Sequence, residues 1–483
     1  MPMLKRAFVA ALLLLLTPGL GGVSAFAADE PSDHIAAEKL AAYSDLAQKW
    51  MEAYIKVDTT NPPGNEARAA AFFKQIFDAE GIENQVFEIA PGRANLWARI
   101  PATAGSAGKR LRPIVLLNHE DVVSSVASRW KHPPFSAAID EGYIYGRGAQ
   151  DMKCDGLAQL VVMVMLKREK IALDRDVIFL ATADEEVDGI GSDWVIQQKP
   201  ELLGNAEFLI TEGGENLEEN GKVKYVGLDV AEKSPYWLVV TAHGRPGHGS
   251  KPIENSAPNR LVRALERVLA WHTEMRTLPV VAEFMRRMAE QQPPEMAPKF
   301  RDVTKAMKEA KFREWLERQE GLAYMFRATI SLTQLEGSGQ TNVIPSVATA
   351  HLDVRLLPGD KPEEFLAAIR KVIADPDVTV EPESKTFREA NMSATDNQLF
   401  QAIEEVAGRY FPGVPVLPRL NNGYTENHRY RQLGIVSYGF SPYQNTAEET
   451  ASEHGDNERI RVEQIRKGYR VLFDVVATVA GAK

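Results

Sequence analysis

Apolar runs of strand type alternate with segments of helical periodicity over the first half of the chain. Helical periodicity marks residues 33–57, 67–81 and 156–170, where apolar side chains recur on one face. Four apolar runs lie between or after these segments, and they read NLWARIP, RPIVLLNHEDVV, DVIFLATADEE and AEFLITEGG. Strands that alternate with helices predict an α/β domain with a largely parallel sheet.

The pattern changes at about residue 231. Apolar and polar residues alternate in SPYWLVVTAHGRPG, ATISLTQLEG and ATAHLDVRLLPG, whereas residues 257–275 and 362–373 have helical periodicity. This order of elements predicts an α+β sandwich with one layer of strands and one of helices. A charged helical segment at residues 283–319 interrupts the order, and the sequence alone allows either a cap over a site or an exposed insertion.

An α/β pattern returns after residue 386, with helices predicted at residues 397–410 and 461–480. A chain of 483 residues is too long for one compact core, so at least two domains are expected. We predict a larger domain formed by residues 28–230 and 386–483. A smaller domain, residues 231–385, is inserted into it.

Composition excludes some function classes. The formal net charge is −10 and no basic block offsets it, which argues against a nucleic-acid surface. Cys154 is the only cysteine, so no intramolecular disulfide can form. Its acidic neighbours disfavour a thiolate, and we interpret it as a small packing residue and not as a nucleophile.

The N-terminus has the pattern of a secretory signal peptide. Lys5 and Arg6 precede a short apolar core, and a small-x-small sequence ends at Ala27. The alternative, a membrane anchor, is disfavoured because Pro18 and several glycines interrupt an apolar stretch that is short for a span. We predict a signal peptide at residues 1–27, export to the periplasm or the medium, and no membrane span after cleavage.

Acids and histidines follow the apolar runs of the predicted sheet. Strand ends are where α/β folds place their sites, and carboxylates and imidazoles are ligands of divalent metals. One such residue alone is weak support, because a strand-end acid usually belongs to a turn. A metal ion would also offset the repulsion among clustered carboxylates. The candidates are His119, Asp151, Glu185, Glu186, Glu212 and His454.

Five short sequence blocks around these candidates resemble, in order and spacing, the metal site of the M20 family of zinc peptidases and amidohydrolases. Three other blocks resemble that family's inserted lid domain. The family includes glutamate carboxypeptidases, aminoacylases, carnosinases and carboxypeptidase S-like enzymes. The resemblance implies a zinc-peptidase-like α/β catalytic domain with an inserted α+β sandwich lid that serves in dimerisation. The blocks are LLNHEDVV, YIYGRGAQDMK, ATADEEVDGIG, LITEGG and SEHGDNERI for the site, then SPYWLVVTAHGRPGHGSKP, NVIP and HLDVR for the lid.

The resemblance implies two zinc ions per subunit, with cobalt or manganese as alternatives. One ion would be held by His119, Asp151 and Glu212, and the second by Asp151, Glu186 and His454. Asp121 would orient the His119 imidazole.

Glu185 would be the general base that takes a proton from a metal-activated water. We expect Glu185 and Glu186 to serve different tasks because neighbouring side chains on extended backbone point oppositely. Asp184 is given only a structural role.

Substrate-binding residues follow from the same resemblance. His248 would stabilise the oxyanion, reaching a neighbouring subunit's site in a homodimer, while His243 is interpreted as structural. Asn342 and Arg355 match lid positions that contact substrate. Many members have an arginine that binds the substrate carboxylate, and this chain has His428 at that position. This leaves three alternatives: His428 binds substrate, Arg429 takes the role of the family arginine, or carboxylate recognition is weakened.

The sequence therefore predicts an exported di-zinc hydrolase that cleaves amide bonds of small peptides, like a carboxypeptidase, or of N-acyl amino acids. One alternative is a catalytically inactive binding or scaffold protein of the same fold, which predicts the loss of a ligand or of the base. Another is a succinyl-diaminopimelate-type or other intracellular biosynthetic deacylase, which conflicts with the export signal.

Overall fold

The computed structural model describes residues 35–103 and 110–482. The predicted signal peptide at residues 1–27 lies outside this part of the chain. Among the residues described, no helix combines the length and hydropathy needed to cross a membrane.

The helices agree with the predicted periodicity at most positions. The first two helices and the last one begin and end within a few residues of the predicted limits, and Gly81 follows α2 with a φ of 62°, which closes that helix. The α-helices are α1 (Ala37–Ile55), α2 (Ala67–Ala79), α3 (Lys153–Arg168), α4 (Ile190–Gln198), α5 (Ala257–Leu269), α6 (Pro279–Met288), α7 (Ala297–Arg301), α8 (Val303–Ala306), α9 (Ala310–Glu317), α10 (Glu320–Ala323), α11 (Pro362–Ile373), α12 (Gln398–Tyr410), α13 (Asn427–Gln432), α14 (Ala447–Thr450) and α15 (Val462–Ala480).

The strands form a larger and a smaller sheet and two short ribbons. They are β1 (Glu83–Ala90), β2 (Arg93–Ile100), β3 (Leu111–His119), β4 (Ala138–Asp140), β5 (Tyr143–Tyr145), β6 (Arg175–Thr182), β7 (Phe208–Thr211), β8 (Asn216–Glu219), β9 (Lys222–Glu232), β10 (Ser234–Pro235), β11 (Leu238–His243), β12 (Gly247–His248), β13 (Thr329–Glu336), β14 (Val343–Ile344), β15 (Val347–Leu356), β16 (Val378–Pro382), β17 (Val416–Asn421), β18 (Val436–Gly439), β19 (Gln444–Asn445) and β20 (Arg459–Arg461).

The larger sheet is mixed, with a parallel centre. Its order is β1-β2-β6-β3-β7-β18-β9-β8-β19, and β17 pairs with β9. Strands β6, β3, β7 and β18 are parallel neighbours, whereas the pairs β1-β2, β2-β6, β18-β9 and β8-β9 are antiparallel. One antiparallel pair arises where a tight turn replaces a helical crossover: Asn220 and Gly221 join β8 to β9 and both have positive φ. The α/β class is confirmed, and its sheet is mixed.

The smaller sheet has strand order β10-β15-β11-β16, with β13 added on β15, and all its pairs are antiparallel. Helices α5 and α11 pack on one of its faces and bury a separate hydrophobic cluster that includes Leu238, Leu261, Leu352 and Ile369. This is the predicted pair of layers, with β16 as a strand that the sequence analysis had not predicted.

Helices α6 to α9 overlap the charged segment, and α6 packs on β17 of the larger sheet. Their apolar side chains, including Phe284, Met288 and Phe312, are buried in the larger hydrophobic core. Arg287 binds Glu404 on α12 and the main chain at Val416 on β17. Of the two alternatives that the sequence left open, an exposed insertion does not agree with this packing, because the segment buries its apolar side chains in the larger core.

Helix α3 lies between the larger sheet and helices α1 and α15, and nearly all of its side chains are buried. Cys154 is 1% exposed, and its Sγ donates to the backbone oxygen of Gln150 at 3.2 Å. Burial raises the pKa of this thiol well above its usual value. These contacts agree with its interpretation as a packing residue.

Candidate metal centre

Three neighbouring parallel strands deliver the acids and the first histidine to one edge of the larger sheet. His119 is the last residue of β3, Glu212 follows β7 directly, and Glu185 and Glu186 follow β6 after a short connection. Because β6, β3 and β7 are adjacent and parallel, their carboxyl ends meet. Asp151 comes from the turn before α3, and His454 comes from the loop after α14.

Two groups of potential ligands share Asp151. His119, Asp151 and Glu212 form one group, and Asp151, Glu186 and His454 form the other. Asp151 Oδ1 lies 2.9 Å from His119 Nε2, and Asp151 Oδ2 lies 2.8 Å from His454 Nε2. The two oxygens of one carboxylate therefore face different groups, as a bridging ligand requires.

The His119 ring is held in one tautomer. Its Nδ1 lies 3.0 Å from the backbone oxygen of Asp121, which can only accept a hydrogen bond, so Nδ1 carries the proton. In the neutral ring, Nε2 then directs its lone pair at Asp151 Oδ1 and at Glu212 Oε2, 3.3 Å away. A cation among these three electron-rich atoms removes the repulsion.

The donor set fits divalent metal ions. Three carboxylates and two imidazoles converge, and Glu186 Oε1 is a buried oxygen with no hydrogen-bond partner among the described residues. Mixed nitrogen and oxygen donors suit zinc and also cobalt or manganese. The residues present therefore fit two ions, which the two groups sharing Asp151 would hold.

Glu185 lies beside these groups and outside both of them. It lines a cavity with Glu186, and burial, followed by the negative charge of Glu212, raises its pKa well above the usual value. The geometric argument from extended backbone is wrong, because β6 ends at Thr182 and Asp184 has a φ of 73°. Glu185 and Glu186 lie in the turn that follows, and of the two only Glu186 belongs to a ligand group.

Asp121 holds that turn. Its carboxylate accepts hydrogen bonds from the backbone N–H groups of Glu185, at 3.1 Å, and Glu186, at 3.2 Å. The same carboxylate lies 3.6 Å from His119 Nδ1, farther than the backbone oxygen of Asp121. Asp121 thus reaches the ring mainly through its main chain, and its side chain positions the two glutamates.

Asp184 has the structural contacts that were expected of it. It is buried, and its Oδ1 accepts hydrogen bonds from Asn61 Nδ2 at 2.8 Å and from Arg93 Nη2 at 2.6 Å. Arg93 also pairs with the buried Glu66. This network compensates the Asp184 charge without a metal ion.

Glu458 is a positioning residue that sequence reasoning missed. Its buried carboxylate accepts hydrogen bonds from the N–H groups of Gln150, at 2.7 Å, and Asp151, at 3.2 Å, and it pairs with Arg147 at 2.6 Å. It therefore ties the turn that carries Asp151 to the loop that carries His454. Its place within SEHGDNERI, four residues after His454, was the available signal.

We expect Glu458→Gln to weaken metal binding by about 10- to 100-fold, because outer-shell partners of ligands typically have effects of this size. Titration with zinc in a competition assay measures the change. Glu463→Gln, an exposed change on α15, is the control. Unchanged affinity in a folded Glu458→Gln protein would contradict the positioning role.

Two cavities open onto the ligand groups. One, of about 270 Å³, is lined by Asp151 and Glu212 and by the further acids Asp155, Glu215, Asp229 and Glu453; we call it the acidic cavity. The other, of about 510 Å³, is lined by Glu185, Glu186 and His454 and by Arg355, Arg388 and Arg429; we call it the arginine cavity.

The structure places two of the predicted substrate residues in the arginine cavity. Arg355 comes from β15 and is paired with Asp353 at 2.8 Å, and Arg429 comes from α13 and is paired with Asp193 at 2.8 Å. Arg388 is a third arginine there, which the sequence analysis did not select, and its nearest acid, Asp193, is 3.6 Å away.

His428 lies behind the wall of the arginine cavity. Its Nδ1 lies 2.7 Å from the backbone oxygen of Thr425, and its Nε2 is bonded to the hydroxyl of Tyr424, which lines the cavity. Burial lowers the pKa of His428 to about 3, so the ring is neutral. Both ring nitrogens are thus engaged within the protein.

His248 and Asn342 lie together and are exposed. His248 is on β12, which pairs with β14, and Asn342 precedes β14 and accepts a hydrogen bond from Gly249. Neither residue lines the acidic cavity or the arginine cavity of the same chain. His243, interpreted as structural, is the exposed last residue of β11, which lies between β15 and β16 in the smaller sheet.

Comparisons with known proteins agree with this architecture. Residues 115–478 match the model of peptidase family M20/M25/M40. Human aminoacylase-1 is 29% identical over 437 residues, which cover 88% of this chain and 94% of that protein.

Two solved structures have a similar fold. An M20 family metallo-carboxypeptidase from Sulfolobus solfataricus superposes with a TM-score of 0.68 at 19% identity, covering 90% of this chain and 98% of that one. Human carnosine dipeptidase 1 superposes with a TM-score of 0.65 at 14% identity, covering 92% and 99%.

Proposed function

The chain belongs to peptidase family M20/M25/M40 and is a metal-dependent amide hydrolase, and on this premise we propose that it is an exported di-zinc enzyme. Its substrates are small peptides or N-acyl amino acids with a free C-terminal carboxylate. The observation that carries the proposal is the pair of ligand groups sharing Asp151, with Glu185 beside them.

Divalent ions bound by the two groups would supply an activated water and polarise the scissile carbonyl. Glu185 accepts the proton of the attacking water and returns it to the leaving nitrogen, since it lines the cavity next to Glu186 without belonging to either group. The Asp121 carboxylate keeps Glu185 in place by accepting a hydrogen bond from the backbone N–H of Glu185.

Carboxylate recognition belongs to the arginine cavity. Arg388 has the weakest ion pair of the three arginines, because its guanidinium lies 3.6 Å from Asp193, whereas Arg355 and Arg429 have partners at 2.8 Å. A guanidinium can bind a carboxylate through two parallel hydrogen bonds. We assign the substrate carboxylate to Arg388, with Arg355 beside it and Arg429 fixing the wall.

Three further features are part of the proposal. The smaller sheet with α5 and α11 acts as a lid, since it contributes Arg355 and Trp237 to the arginine cavity. The chain forms a homodimer in which His248 and Asn342 reach the partner's site, because both residues are exposed and neither lines the acidic cavity or the arginine cavity of its own chain. Export is supported by the pattern of residues 1–27.

Metal removal and substrate choice test this function together. Dialysis against a chelator should abolish hydrolysis of peptides and N-acyl amino acids, and zinc or cobalt should restore it, because Glu185 alone cannot activate water sufficiently. Matched substrates with an amidated C-terminus should be cleaved at least about 10-fold more slowly, since they lack the charge that Arg388 binds. Activity that resists chelators would refute the metal-dependent mechanism. Equal cleavage of free and amidated substrates would refute the assignment of the substrate carboxylate to Arg388.

A further inference from the structure

The acidic cavity and the arginine cavity meet at the metal-ligand groups from two sides. Asp151 and Glu212 line the first, whereas Glu186 and His454 line the second. A substrate whose scissile carbonyl sits at the ligands therefore extends into both cavities. The chemistry of the two walls then decides which groups flank the scissile bond.

The acidic cavity has an excess of negative charge beyond the metal ligands. Asp155, Glu215, Asp229 and Glu453 line it, and Arg419 is the cation of its wall. Arg419 is already engaged, with Nη1 3.2 Å from Glu215 and Nε 3.6 Å from Asp229. The wall thus holds more carboxyl groups than its lining arginine can pair.

Unpartnered acceptors give a second, independent indication. Asp155 Oδ1, Asn216 Oδ1 and Asn445 Oδ1 have no hydrogen-bond partner among the described residues, and all three residues line the cavity. Asp155 is 5% exposed and Asn216 is 3% exposed. Buried acceptors of this kind normally have a donor. An ammonium group brings three N–H donors and a positive charge.

The acidic cavity therefore suits a cation, whereas the arginine cavity offers Arg388, the least tightly paired of its three arginines, to an anion. A peptide with free ends carries an ammonium on one side of its amide and a carboxylate on the other, whereas an N-acyl amino acid carries only the carboxylate. A long apolar acyl chain is also a poor match for a cavity of about 270 Å³ whose wall is mostly acids, amides and hydroxyls. Resting on the proposed function, we infer that the acidic cavity binds the free α-ammonium group of a short peptide and that such zwitterions are the preferred substrates.

A matched pair of substrates tests this inference. L-alanyl-L-leucine and N-acetyl-L-alanyl-L-leucine have the same scissile bond and the same carboxylate, and differ in the charge of the amine. With the metal-loaded full-length enzyme, kcat/KM should be at least about 10-fold higher for the free amine, as expected for a charge-assisted hydrogen bond. Asp155→Asn should reduce this ratio by about 10-fold.

Arg388→Gln is the matched control on the other side. It should lower kcat/KM for both substrates alike and leave their ratio within about twofold, because the carboxylate is common to both. Asn445→Ala, at a partly exposed position, should shift the ratio in the same direction as Asp155→Asn. It serves as the test variant if Asp155→Asn does not fold.

The outcomes separate the two proposals. Equal or faster cleavage of the acetylated peptide, with a ratio that Asp155→Asn leaves unchanged, would overturn the ammonium site while amide hydrolysis stands. Absence of hydrolysis of both peptides and of N-acyl amino acids by the metal-loaded enzyme would instead overturn the proposed function.

Discussion

Asp151→Asn is expected to deprive the protein of stable binding at both metal sites and to lower kcat/KM by on the order of 10³-fold or more. The reason is that Asp151 belongs to both ligand groups and offers one oxygen to each, at 2.9 Å from His119 and 2.8 Å from His454. An amide has one oxygen and no charge. Loss of the carboxylate charge removes several kcal/mol of charge stabilisation, and each ~1.4 kcal/mol corresponds to a tenfold change in rate.

Metal content after gel filtration, determined by elemental analysis, measures the first effect, and peptide hydrolysis measures the second. Asp155→Asn is the matched control, because Asp155 lies nearby, in the first turn of α3, and belongs to neither ligand group, so the metal content of this variant should equal that of the parent. An Asp151→Asn protein that retains the parent's metal content would show that this carboxylate does not bridge.

The local sequence pattern selected candidate ligands that the structure brings together, because each of them but one follows an apolar run or a glycine-rich turn, whereas their division into two ligand groups came from the family resemblance. His119 and Glu212 end up adjacent because β3 and β7 are parallel neighbours; the alternation of strands and helices implies the parallel direction but not the strand order. The sequence could not supply the partners that hold the ligands. Glu458 reaches Asp151 across 307 positions, and no local pattern encodes that contact.

Substrate contacts were harder to predict for a related reason. Arg388 reaches the arginine cavity from the segment that links the smaller sheet to α12, and an arginine in an irregular segment has no periodicity to mark it. His428 occupies the expected position along the chain, yet Tyr424 and Thr425 take both of its ring nitrogens. Side-chain direction, which sets these contacts, depends on tertiary packing.

Most helices of the fold were predictable from periodicity, whereas several strands were not. Strand β1 is a half-exposed edge with polar residues, so its pattern is weak. Strands β8 and β9 are joined by Asn220-Gly221, a pair typical of tight hairpins, and this signal was available in the sequence. Strand β16 is only five residues long and alternates buried and exposed side chains. Short or edge strands depend on their neighbours for stability, which a single segment cannot reveal.

The three consecutive acids after β6 have distinct environments, and this predicts distinct mutant phenotypes. Asp184 is compensated by Arg93, and Glu186 belongs to a ligand group with His454. Glu185 faces the arginine cavity and belongs to neither group. A substitution that keeps the shape of each side chain therefore isolates the role of its charge.

Glu185→Gln is expected to keep the full metal content and to lose about 10²- to 10⁴-fold in kcat, because a glutamine cannot accept and return the proton. KM should change little, since the carboxylate of the substrate is bound elsewhere in the cavity. Elemental analysis and steady-state kinetics on the same preparation measure both quantities. Glu186→Gln is the neighbouring control and should lose metal, because Glu186 lies 3.2 Å from His454 within its ligand group. A Glu185→Gln enzyme with kcat within about tenfold of the parent would exclude Glu185 as the base, and one that loses metal would make it a ligand.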